Sequence, residues 1–253
     1  SHTGAFYSLK WGWSVGLQRF LARRALITIA HNKDLGEIVK NWGCQYVVLS
    51  FTPGKYPEGE HFPVEGKFNV AAVSSFLGDE PTEIVFEAAR RLSDVTFYMT
   101  GDYRRCRRRL LARKPDNLHL TGFMSYARYV GLLRAADATM VLTTRDHTLL
   151  MGAYEAISLG SPLITSNWPI LQDCYSLGTV HVPNTVDGLC AGVRRAQQER
   201  DVLRRDIVLL REKLEKDFET TMVEIERVIN EFEMQRSGLG HQIQDSVSQP
   251  TSK

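Results

Sequence analysis

Residues 138–165 read ATMVLTTRDHTLLMGAYEAISLGSPLIT, and this stretch decides the fold class. Residues 138–142 form a short apolar run that is typical of a buried strand, and residues 143–148 form a polar loop. Residues 149–159 have the pattern of a helix, which Gly160 ends. Residues 162–165 are apolar again. Strand, loop, helix and strand in this order predict a parallel β-α-β unit.

The same alternation extends in both directions from this unit. Since the strand runs are almost continuously apolar, they indicate a doubly wound parallel sheet with helices on both faces, a Rossmann-like α/β fold. The predicted strands are residues 68–74, 95–100, 117–120, 138–142, 162–165 and 179–182. The helices predicted between and after them are residues 82–92, 103–113, 126–135, 149–159, 169–175 and 184–198.

The ends of the chain predict a different organisation. Residues 1–66 contain one helix, one β-α-β pattern and a linker rich in Pro and Gly, which is too little to bury both faces of a sheet. We therefore predict an incomplete second Rossmann-like domain with its linker over residues 1–66 and a complete domain over residues 67–216. A separate helix is expected over residues 217–236, and a disordered polar tail over residues 237–253. The first residue is Ser1, not Met, so we expect a piece of a longer protein.

Composition excludes several classes of protein. The chain has 253 residues with 31 Lys and Arg against 29 Asp and Glu, a near-balance that argues against a nucleic-acid partner. No stretch reaches the length of about 18 apolar residues that a membrane span needs. The four cysteines are widely spaced, which favours reduced thiols in a cytoplasmic protein and gives no metal-ligand spacing.

In an open parallel sheet, ligands bind beyond the carboxyl ends of the strands, so the loops there hold the candidate site residues. The loop of residues 143–148 leads into a helix whose first amides and nearby Gly152 could receive an anion. Arg145 could hold a phosphate with two hydrogen bonds. Glu155, on the same helix, could accept from a ribose diol or could be a solvated helix residue.

Three segments together resemble the GT-B glycosyltransferases, specifically the family 4-like group. GAYEAISLGSPLIT (152–165) is similar to the family's signature helix and strand, SSFLGDEP (74–81) to its first donor-domain loop, and NLHLTGFMSYARYVGLLRAAD (117–137) to a further segment. The helix at residues 219–232 also resembles the family's C-terminal helix, which crosses back to the N-terminal domain. The resemblance covers residues 13–229 approximately.

This resemblance implies a donor-binding domain for a nucleoside diphosphate sugar. It implies that Glu155 binds the ribose and that Phe123 and Met124 lie beside the nucleobase, with Ser75 and Thr144 in the two loops that face the donor. Sugar transfer to a hydroxyl of a glycan or lipid-linked acceptor, with retention at the anomeric carbon, would follow. No cofactor and no bound metal are expected, and the oligomeric state is left open.

The chain departs from the family pattern at two places. The family often has an acid eight residues before the glutamate, but this position is His147. Asp146 could substitute, His147 could act as a hydrogen-bond donor, or the sugar could be recognised differently. The first loop also lacks the family's basic pair, for which Arg145, Arg104 or Arg105 could substitute.

Two alternative functions and two interpretations of one basic segment stay open at this point. The chain could be a nucleotide-sugar epimerase or a truncated homologue that binds a nucleotide without catalysis. The arginine-rich segment of residues 104–109 could be a solvated face or could contact anionic lipid, as a peripheral protein at the inner face of the membrane would.

Overall fold

The computed structural model describes the backbone of residues 12–247 and the side chains of residues 14–237. Contacts divide the described residues into a larger unit, Phe51–Glu215, and a smaller unit that combines residues 12–50 with residues 216–247. The sequence predicts this boundary at residue 67, whereas the contacts begin the larger unit at Phe51. The segment of residues 51–66 belongs to the larger unit because Phe51 and Phe62 are buried in its core.

The larger unit is built around one parallel sheet of six strands, so the predicted fold class is confirmed. The strands are β3 (Asn69–Ala72), β4 (Thr96–Thr100), β5 (Leu118–Gly122), β6 (Ala138–Val141), β7 (Leu163–Ser166) and β8 (Thr179–Val182). Their order across the sheet is β5-β4-β3-β6-β7-β8. Each strand lies within about two residues of a predicted one, because buried parallel strands give unbroken apolar runs.

Helices connect these strands. They are α3 (Thr82–Arg91), α4 (Arg108–Leu111), α5 (Tyr126–Ala135), α6 (Met151–Ser158), α7 (Pro169–Cys174), α8 (Val186–Gln198) and the start of α9 (Arg200–Val247). Two apolar layers are buried between sheet and helices, one with Phe86 and Phe97 and the other with Ile157, Leu163 and Ile207.

The predicted basic helix over residues 103–113 is wrong. A 3₁₀ turn covers Tyr103–Arg105, Cys106 and Arg107 are extended, and only Arg108–Leu111 is α-helical. Five arginines within six residues would repel one another along a continuous helix. The break also lets Arg107 form an ion pair with Glu83 at 2.7 Å.

The smaller unit contains α1 (Gly12–Ala22), β1 (Thr28–Ala30), α2 (Lys33–Asn41) and β2 (Tyr46–Val48). β1 and β2 pair in parallel, as the β-α-β pattern predicts. Asn32 begins α2 because its side chain accepts a hydrogen bond from the Leu35 amide at 2.8 Å.

The end of the chain differs from the prediction. One helix, α9, runs without a break from Arg200 to Val247, so the expected disorder is wrong for residues 237–247. Extending a formed helix costs far less than starting one, which explains why polar residues continue it. Residues 248–253 lie outside the described part. No helix between residues 12 and 247 is long and apolar enough to cross a membrane.

Candidate functional site

The strand order reverses between β3 and β6, and two loops meet at this switch point. We name residues 73–81 the first loop and residues 142–150 the second loop. The Asp79 carbonyl accepts hydrogen bonds from the Thr144 amide at 2.7 Å and the Thr144 hydroxyl at 3.1 Å. Arg145 Nε lies 3.5 Å from the Asp79 carboxylate. The loops are therefore held together at the edge where ligands bind in such sheets.

Three polar side chains fix the start of the second loop. The Thr143 amide donates to Ser166 Oγ at 3.0 Å. The Thr143 carbonyl accepts from Trp168 Nε1 at 2.9 Å and from Asn184 Nδ2 at 2.8 Å. Sequence reasoning missed Asn184 and Trp168, because their contact with Thr143 depends on β6, β7 and β8 being neighbours.

Asp146 and His147 lie side by side in the second loop, both partly exposed. The His147 amide donates to Asp146 Oδ1 at 2.7 Å, and His147 Nε2 lies 3.7 Å from Oδ2. His147 adopts a left-handed backbone with φ of 55°, which is uncommon outside glycine. The two candidates for the position of the family's first acid therefore form one pair.

The start of α6 lies close against the sheet. Gly152 is buried, and a Cβ placed there would lie 2.8 Å from Val73 Cγ1 and 3.4 Å from Val141 Cγ1. A glycine is needed for this close approach, so a packing role accounts for Gly152. The Leu150 amide donates to the Tyr175 hydroxyl at 3.2 Å. The Met151 and Gly152 amides begin α6, where a helix leaves its first amides without an intrahelical acceptor, so they could meet an anion.

Glu155 is half-buried, so the interpretation as a solvated helix residue does not describe it. The Tyr129 hydroxyl donates to Glu155 Oε2 at 2.6 Å. Burial raises the pKa of the Glu155 carboxyl, and the hydrogen bond from Tyr129 opposes that rise. Burial and the neighbouring Glu155 also raise the pKa of the Tyr129 phenol, so Tyr129 stays protonated as the donor.

The ring of Tyr129 is the first of three tyrosine rings that lie next to one another. The ring of Tyr126 lies 6.3 Å from the ring of Tyr129 and 6.3 Å from the ring of Tyr56. Sequence reasoning missed all three. Tyr126 and Tyr129 lie on α5, where an aromatic residue is most often a core residue, and Tyr56 lies in the segment that the sequence predicts as a linker.

Phe123 and Met124 lie beyond the end of β5. Phe123 is 77% exposed. Both line a concave region that also includes Tyr98, His119 and Arg128. The structure therefore places an exposed aromatic ring near the carboxyl end of β5, without joining it to the second loop.

Ser75 lies in the first loop, where it contacts an acidic side chain. The Ser75 amide and hydroxyl donate to Glu80 Oε1 at 2.9 and 2.6 Å. The first loop contains no Lys or Arg.

Four of the five arginines in the arginine-rich segment form ion pairs with two nearby carboxylates. Arg104 Nε lies 2.6 Å from Asp102, and Arg105 lies 3.8 Å from the same carboxylate. Arg107 and Arg109 pair with Glu83. Arg105 and Arg107 also line an open concavity of about 400 Å³ beside the first loop and Thr144. Among the side chains of residues 14–237, no group of three or more His, Cys, Asp or Glu could hold a metal ion.

Comparison with known proteins shows the fold. No protein-family model and no curated protein matches the sequence. Among solved structures, sucrose-phosphate synthase from Thermosynechococcus elongatus superposes with a TM-score of 0.69 at 15% identity, over 92% of this chain and 66% of that one. The pneumococcal O-GlcNAc transferase GtfA, in complex with UDP and GlcNAc, gives 0.63 at 16% identity, over 84% and 47%. Anabaena HepE, in complex with UDP and glucose, gives 0.61 at 12% identity, over 81% and 64%.

These structural neighbours are GT-B glycosyltransferases, and their Rossmann-like architecture is the one that the larger unit has. This chain spans between about half and two thirds of the length of the three neighbours. At these identities the likeness concerns the fold, and the chemistry must be argued from the site.

Proposed function

We propose that this chain is the donor-binding part of a family 4-like GT-B glycosyltransferase, which transfers a sugar from a nucleoside diphosphate to a hydroxyl. One observation carries the proposal: a half-buried carboxylate, Glu155, lies on the helix that begins at the switch point and keeps one oxygen for a ligand. UDP-bound neighbours of the same fold support the nucleotide class.

The proposed roles follow from chemistry at this edge. Tyr129 holds Glu155 Oε2, which leaves Oε1 to accept from the ribose hydroxyls. Arg145, whose side chain is 60% exposed, and the first amides of α6 would bind the diphosphate. Asp146, paired with His147, would accept from a hydroxyl of the donor sugar, and Phe123 with Met124 would lie beside the nucleobase.

In the proposed reaction, the bond between the anomeric carbon and the diphosphate oxygen breaks, and the electron pair leaves with the diphosphate. The acceptor hydroxyl oxygen then forms the new bond on the same face of the sugar, and its proton passes to the departing diphosphate oxygen. Charge grows on the leaving diphosphate, where Arg145 and the α6 amides stabilise it more strongly than in the ground state. We propose that this stabilisation of the leaving diphosphate serves in place of a bound metal. The acceptor, a glycan or a lipid-linked hydroxyl, and a cytoplasmic location with peripheral membrane contact rest on the resemblance alone.

A second candidate is a nucleotide-binding protein that does not catalyse transfer. The observation that favours it is the acidic first loop, in which Asp79 and Glu80 stand where the family resemblance leads us to expect a basic pair. On the residues described, nothing favours the epimerase alternative.

Calorimetric titration with UDP and GDP tests the proposal. We expect binding by the unchanged protein and a loss of about 10- to 100-fold in affinity for Glu155→Ala, since a hydrogen bond to a charged group contributes about 1.5–3 kcal/mol. Glu199→Ala is the control, because Glu199 ends α8 at the opposite edge of the sheet. Absence of binding by the unchanged protein at millimolar nucleotide would refute the proposal. Release of UDP from a UDP-sugar with an acceptor then separates the enzyme from the second candidate.

A further inference from the structure

The side chain of Glu80 turns back onto the first loop and occupies its hydrogen-bond donors. The Glu80 carboxylate accepts hydrogen bonds from four donors: the Ser74 hydroxyl, the Ser75 amide, the Ser75 hydroxyl and the Phe76 amide. The Phe76 amide lies 3.0 Å from Oε2. Both carboxylate oxygens are therefore held by the loop that follows the central strand β3.

Such an array of consecutive amides and hydroxyls is a general device for binding anions. Phe76 has a left-handed backbone with φ of 56°, and this conformation turns successive amides toward the same point. The carboxylate of Glu80 occupies that point as a phosphate oxygen would.

The charges around this loop also oppose an external anion. Asp79 adds a second carboxylate to the loop. It forms an ion pair with Arg145 at 3.5 Å and so partly neutralises the side chain that would contact a diphosphate. A phosphate group placed at the first loop would meet the repulsion of Glu80 and would find its hydrogen-bond donors already used.

We infer that Glu80 is an internal competitor for the anionic group of a ligand and lowers the affinity of the crevice for nucleoside diphosphates. This inference rests on the proposed nucleotide site and deepens it. The ligand is held by the second loop alone while Glu80 occupies the first. Removing the Glu80 carboxylate opens four donors at the switch point to phosphate oxygens.

The test compares Glu80→Ala and Glu80→Gln with Glu83→Ala. Glu83 lies three residues on, has a side chain that is 56% exposed, and pairs with Arg107 outside the first loop, so it controls for the loss of one negative charge. Calorimetry measures binding of UDP and, separately, of inorganic pyrophosphate. We expect Glu80→Ala to bind each at least about tenfold more tightly than the unchanged protein, Glu80→Gln to lie between, and Glu83→Ala to change either affinity by less than about twofold.

The two ligands separate this inference from the proposed function. Tighter pyrophosphate binding by Glu80→Ala without UDP binding by any variant would support competition by Glu80 for an anion and refute a UDP site. UDP binding by the unchanged protein that Glu80→Ala leaves equal or weaker would refute the inference and keep the nucleotide site. If Glu80→Ala does not fold by circular dichroism, Glu80→Gln carries the comparison, because it keeps the size of the side chain and removes the charge.

Discussion

The first loop and the second loop end neighbouring strands at one edge of the same sheet, yet they use their polar groups in opposite ways. Each contains a residue other than glycine with a left-handed backbone, Phe76 at 56° and His147 at 55°. In the first loop, four donors turn inward onto Glu80. In the second loop, Arg145 is exposed and the amides at the start of α6 follow directly.

This difference shows that a position in a fold does not by itself define a binding role. Both loops lie where a doubly wound sheet binds its ligands. Only the second contains an arginine, so we propose that it binds the diphosphate and that the first loop limits the affinity. Three further predictions test this contrast.

The largest effect is expected at Gly152, which lets α6 approach the sheet closely. A Cβ at Gly152 would lie 2.8 Å from Val73 Cγ1, so Gly152→Val must push the helix away from β3. Overpacking of this kind costs about 1–3 kcal/mol, and we expect UDP binding to be lost with it. Urea unfolding measures the first change and calorimetry the second. Gly78→Val is the matched variant in the first loop, where a Cβ meets nothing within 4 Å, and we expect a change below about 0.5 kcal/mol. Equal destabilisation by both variants would remove the contrast between the loops.

Arg145 should give the next largest effect. We expect Arg145→Ala to weaken UDP binding about tenfold, since it removes a charge-assisted contact with the diphosphate. Because the side chain is exposed, the affinity of the unchanged protein should fall with salt more steeply than that of the variant. Calorimetry at two salt concentrations checks both points. Arg195→Ala, near the end of α8, serves as the control, and an Arg145→Ala protein with unchanged affinity and salt dependence would contradict the assignment.

The smallest effect is a pH shift from Tyr129→Phe. Burial raises the pKa of Glu155, and Tyr129 opposes that rise, so the variant should raise the Glu155 pKa further. If the ionised carboxylate binds ribose, affinity falls as pH decreases through this pKa, and the fall begins at a higher pH in the variant. UDP affinity measured as a function of pH checks this. Tyr126→Phe, whose ring lies 6.3 Å from that of Tyr129, should keep the original profile, and an identical profile for Tyr129→Phe would count against the role of Glu155.

The sequence predicted the strands well because the central ones, β3, β6 and β7, are fully buried and mainly apolar. It also placed Thr144, Arg145 and Glu155 near the carboxyl edge, since parallel strands end there together. It could not show that Tyr129 meets Glu155, a contact across 26 residues that depends on the packing of α5 beside α6.

The polar interior of the first loop was also beyond sequence reasoning. Glu80 lies six residues after Ser74, and no local pattern indicates that its side chain turns back onto the loop. In the arginine-rich segment the sequence predicted a helix that does not form. Repulsion between the arginines and the ion pair of Arg107 with Glu83 break it.

The central claim is that the second loop and Glu155 hold the nucleotide, and a crystal structure of the UDP complex tests it most directly. We predict the diphosphate against Arg145 and the first turn of α6, the ribose hydroxyls on Glu155, and Glu80 still bound within the first loop. A diphosphate seated in the first loop with Glu80 displaced, or a ribose that does not contact Glu155, would contradict it.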